Sequence, residues 1–133
     1  MAKTHALALC AGLALAGVAG FGAVTPAVAA DAVKEQTAAA FHAGLAAGAK
    51  DVKTVRMHLH HVVKCLVGPA GAGYDEHEMN PCKDAGAGLL ADTPAGAPRM
   101  HFEAALVHAQ AGLKTDDLAA AQKIAAETQA LLK

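Results

Sequence analysis

The sequence predicts an all-α protein: a four-helix bundle of two helical hairpins joined by a long, disulfide-tied crossover. Three observations predict it. Apolar residues make up 54% of the chain but aromatics only 3%, and most of the apolar content is alanine. Alanine is the best helix former, whereas strands favour β-branched and aromatic residues. Four segments then repeat their larger apolar side chains at three- and four-residue spacing, the period of a helix face. Between the second and third lies a stretch rich in glycine and proline, residues 67–98, where a continuous helix would not survive.

Residues 1–30 read as an export leader. Lys3 supplies the positive start, Ala6 to Val24 form the apolar stretch, and Pro26 breaks it before the small-x-small pattern Ala27-Val28-Ala29. Cleavage after Ala29 or Ala30 would discard Cys10 and leave residues 31–133 as a single helical-bundle domain. No second apolar run is long enough to cross a bilayer. The expected product is soluble and periplasmic, or secreted, with no membrane partner after cleavage. A net charge of −1 offers no basic surface for nucleic acid. With 17% charged residues against 54% apolar, the composition is also not that of a disordered chain.

The elements follow in order. Asp31 is placed to cap a helix over 32–49, with Val33, Thr37, Ala40, Phe41, Leu45 and Gly48 as its expected inward stripe. Lys50 and Asp51 turn the chain, and Asp51 caps a second helix, 52–66. That helix carries Val52, Val55, Leu59, Val62 and Leu66 on one face and stops at Gly68-Pro69. A third helix begins near Pro98 or Arg99, proline being tolerated in a first turn, and runs to about Gly112. Its inward residues are Phe102, Ala105, Leu106 and Ala109. Thr115 is expected to cap the fourth, 116–132, whose stripe is Leu118, Ala121, Ile124, Ala125, Thr128, Leu131 and Leu132.

Beyond residue 30 two cysteines remain, Cys65 and Cys82. An even pair in an exported chain is expected to form a disulfide. Closing a loop of this length is worth about 3 kcal/mol in the chain-entropy model. There is no Cys-x-x-Cys, so neither a thioredoxin-like site nor c-type haem attachment is supported.

Histidine is the other signal. All but one of the eight lie beyond the leader: His42, His58, His60, His61, His77, His101 and His108. His58 and His61 are three apart on the second helix and share a face, with Cys65 one turn beyond, while His60 points elsewhere. His101 and His108 form a second stripe on the third helix, and His42 sits mid-way along the first. Imidazole is the commonest transition-metal ligand, and i,i+3 spacing is the least that lets one helix supply two ligands. The expected site is therefore a divalent metal held by His58 and His61, with His101 or His108 contributing from the third helix. Nitrogen ligands suit Cu, Ni or Zn, and no organic cofactor is expected.

Enzymatic chemistry has little support. The chain contains no serine, so a Ser-His-Asp triad is excluded, and it has no His-Glu-x-x-His or phosphate-binding glycine loop. Asp75-Glu76-His77-Glu78 reads as solvated loop, and the protein is expected not to be an enzyme. The placement of His42, His58, His61, His101 and His108 on alanine-rich helices behind an export leader resembles the small periplasmic histidine-containing four-helix metal-binding proteins of bacteria. That resemblance implies a metal-binding role. The alternative is a structural or protein-interaction module without metal, with Leu89-Leu90 as a candidate contact.

Overall fold

The structure is a computed structural model and describes residues 31–133. The expected export leader, its expected cleavage site and Cys10 fall within residues 1–30 and lie outside the described residues. Among those described there are five helices and no strand: α1 (Ala32–Gly48), α2 (Val52–Val67), α3 (Leu89–Asp92), α4 (Ala97–Leu113) and α5 (Leu118–Leu131). None is long and apolar enough to cross a membrane.

Side-chain caps start three of the helices. Asp31 accepts from the Lys34 N–H at 2.9 Å, and Asp51 from the Thr54 N–H at 2.8 Å. Each satisfies one of the donors that a helix start leaves free, worth about 1 kcal/mol. The expected cap at Thr115 is corrected. Asp117 caps α5 through the Ala120 N–H at 2.7 Å, while the Thr115 hydroxyl donates back to the Ala111 carbonyl. The threonine belongs to the end of α4, and the acidic residues that follow suit the positive end of the next helix dipole better. Asp116 is then free to bind Arg56, whose guanidinium also donates to the Thr115 carbonyl at 3.0 Å. That pair fastens the start of α2 to the α4–α5 turn.

Each long helix packs chiefly against two others, α1 on α2 and α5, and α4 on α5 and α2, while α2 and α5 also meet more sparingly. Three glutamines record the antiparallel run of α1 and α5. Gln36 donates to the Leu132 carbonyl at 2.9 Å, Gln129 to Ala40 at 3.3 Å and Gln122 to Ala49 at 2.8 Å. The core draws Val55, Leu59, Val62 and Leu66 from α2 and Phe102 from α4, as the periodicity predicts. Alanines fill most of the rest: Ala105 and Ala109 on α4, Ala121 and Ala125 on α5.

The inward face of α1 differs from the expected one. Val33 is 73% exposed and Phe41 61%, while Glu35, Ala39, Ala43 and Ala46 are buried. The physical reason is that α1 is apolar nearly all the way round, so its larger residues do not select the contact face. The small ones do, because α1 is squeezed between two neighbours. A Cβ on Gly44 would collide with the Gln129 amide. Helices lined with alanine and glycine approach closely, and a bulky stripe on that face would hold them apart.

The crossover is anchored at several points. Cys65 and Cys82 form the expected disulfide, with Cα atoms 5.2 Å apart. Gly68 ends α2 at φ +65° and lies so close to the Ala87 carbonyl that no Cβ could fit, so glycine is required there twice over. The buried Lys64 places its ammonium 4.0 Å from the centre of the Tyr74 ring, a cation–π contact between α2 and the loop. Leu89 is fully buried at the start of α3, and Leu90 packs partly against the core. The Leu89-Leu90 pair is thus a packing contact of the fold.

Candidate metal centre

The α1–α2 hairpin positions the site. Ala49–Asp51 reverses the chain, so residues equally far from this turn come level on the two helices. His42 and His58 are 16 positions apart with Lys50 midway between them, and they meet across the hairpin. His61 lies one turn beyond His58 on the same flank of α2.

The three rings converge through one nitrogen each. The Nδ1 of His42 is 3.2 Å from Nδ1 of His58 and 3.3 Å from Nδ1 of His61. One donor nitrogen from each ring lies within 4.8 Å of the other two. Two nitrogens at a tetrahedral metal, each about 2.05 Å from the ion, are about 3.3 Å apart. The His42 pairs therefore already have the spacing that joint ligation requires. The rings of His42 and His61 stand nearly perpendicular at 75°, and the Phe41 ring packs edge-on against His42 at 5.5 Å between centres.

Electrostatics keep the cluster uncharged. Burial, followed by repulsion from His61 and His58, lowers His42 to about 4. Burial lowers His58 as well. His61, only 4% exposed, is lowered chiefly by burial and further by His58, against an opposing pull from Glu78. Neutral imidazole is the form that ligates, so at neutral pH all three are ready to bind.

The other candidates lie elsewhere. His108 Nδ1 is 3.4 Å from Glu127 Oε2, reaching across to α5, and His101 is exposed. Neither joins the group of three. The buried line of α4 runs through Phe102, Ala105 and Ala109, which turns the His101/His108 stripe to its flank. The third ring comes from His42 on α1 instead. The signal that identifies it is the hairpin reversal, which sets His42 opposite His58 before any contact is known. His60 points away from the cluster, as its position on α2 implies. Its Nδ1 is 3.9 Å from Asp75 Oδ2, at an open groove it lines with Arg56, Met57 and Glu78.

The chain matches no known protein family, no curated protein and no solved structure.

Proposed function

We propose that this is an exported, non-enzymatic helical protein that binds one divalent transition-metal ion, Cu, Ni or Zn, through His42, His58 and His61. The observation that carries the reading is the pair of Nδ1–Nδ1 distances, 3.2 and 3.3 Å, between rings that burial keeps neutral. Three nitrogen donors with no thiolate in the group suit these metals better than Cu(I) or a hard cation. Support for export comes from the leader-like pattern of residues 1–30 and from the disulfide, which persists in oxidising compartments. The same two features support periplasm or secretion as its location. The architecture we favour is a four-helix bundle of two hairpins, supported by the cyclic packing of α1, α2, α4 and α5. It fits the resemblance to small periplasmic histidine-containing metal-binding proteins.

The test is calorimetric titration of metal-free protein with Zn(II), Ni(II) and Cu(II) at neutral pH. One ion should bind per chain. Losing a supporting residue of a metal site typically costs 10- to 100-fold in affinity, so removing a ligand should cost at least about tenfold. His42→Ala, His58→Ala and His61→Ala should each show that loss, and His60→Ala should bind as the parent does. A parent without binding, or a triple variant that binds equally well, would overturn the reading. The module without metal would then take its place, since the exposed Val33 and Phe41 on α1 offer an apolar strip to a partner.

A further inference from the structure

A second cluster lies where the crossover meets the start of α1, away from the histidines. Glu35 is fully buried, and its Oε1 accepts from the Gly88 N–H at 3.0 Å. Asp92, on α3, accepts from the neighbouring Ala87 N–H at 2.7 Å. Two carboxyl groups thus hold two consecutive amides of one strap. They also converge, because a Cβ on Gly86 would collide with an oxygen of each. The remaining Glu35 oxygen, Oε2, is buried with no partner among the described residues. An ionised Glu35 would leave a buried carboxylate facing a second acceptor, an arrangement that costs several kcal/mol.

We propose that Glu35 is held in its protonated form against Asp92, and that this carboxyl–carboxylate pair is a proton-dependent latch fastening the crossover to α1. The charged groups acting on Glu35 are Asp92 on α3 and Asp31 at the start of α1, and both oppose its ionisation. Burial opposes it more strongly, and only the Gly88 amide favours the anion; the balance raises Glu35 from 4.5 to about 7. A raised acid favours the folded state where it is protonated. Its contribution is complete below the ordinary carboxyl value and is lost as pH rises through about 7. The latch is therefore closed in mildly acidic surroundings and loosens on the alkaline side of neutrality. The strap it holds continues directly into α3, and its other end is tied by Cys82.

The carboxyl carbon of Glu35, followed by carbon-13 NMR in the folded protein, should titrate with a midpoint near 7. A protonated-carboxyl infrared band present at about pH 6 should vanish in Glu35→Gln. Asp92→Asn should move the midpoint down while leaving it above the ordinary value, because burial remains. Between about pH 5 and pH 7 the parent should lose up to about tenfold in folding equilibrium per pH unit relative to Glu35→Gln. The difference between the two proteins removes the histidines' contribution, which is common to both. The carbon-13 titration needs only the parent, so it decides even if a variant folds poorly. An ordinary Glu35 titration in the folded parent would overturn the proposal. So would a midpoint that Ca(II) or Mg(II) displaces, because the pair would then be a cation site.

Discussion

His42 is the residue whose role depends most on its surroundings. On its own helix it has no histidine neighbour at ligand spacing, and only the turn at Lys50 sets it opposite His58. His58 and His61 were legible in the sequence because i,i+3 geometry is intrinsic to one helix. His101 and His108 show the limit of that argument: a stripe on a helix does not say which neighbour it faces. The lowered titration of the triad has a direct consequence for binding. An isolated imidazole gives up its metal to protons as pH falls through about 6.5. Burial lowers all three rings below that value, His42 to about 4, so metal binding should persist to lower pH than an isolated imidazole allows. Titration calorimetry across this range checks it. A collapse of affinity at about pH 6.5 would mean that the rings titrate as free histidines.

The helices differ in how openly they announce themselves. α2 alternates Val55, Leu59, Val62 and Leu66 with charged and polar residues, so this stripe of its buried surface follows from spacing, whereas His61, Val63, Lys64 and Cys65 are buried off the stripe, Lys64 and Cys65 against the crossover. α1 lacks that contrast. Its bulkiest apolar side chains share one exposed stripe, while Ala39, Ala43 and Ala46 face the core and Glu35 is buried beside the crossover. α3, Leu89–Asp92, is a single turn inside a glycine-rich stretch. Its origin is tertiary: Leu89 enters the core and Asp92 holds the Ala87 amide. The start of α5 gives a test at this scale. Asp117→Ala should destabilise the protein by about 1 kcal/mol in urea unfolding, since it removes the capping acceptor. Thr115→Ala should cost clearly less, because its hydroxyl only back-bonds within the last turn of α4.

For the molecule as a whole, the cross-link and the small core act together. Reducing Cys65–Cys82 should lower the unfolding free energy by about 3 kcal/mol, measured by denaturant titration with and without reductant. A difference near zero would mean that the crossover is held by its packing alone, through Leu89, Lys64 and the Glu35 contacts. The alanine-lined interfaces carry one more consequence, for the response to temperature. The curvature of stability with temperature comes from the heat capacity of newly wetted apolar surface, ordinarily about 12–15 cal/mol/K per residue. Each buried alanine exposes only a methyl on unfolding, so this chain should fall below that range in scanning calorimetry. Its stability dome is then shallow, and the hairpin that sets His42 against His58 and His61 varies little between cold and warm surroundings.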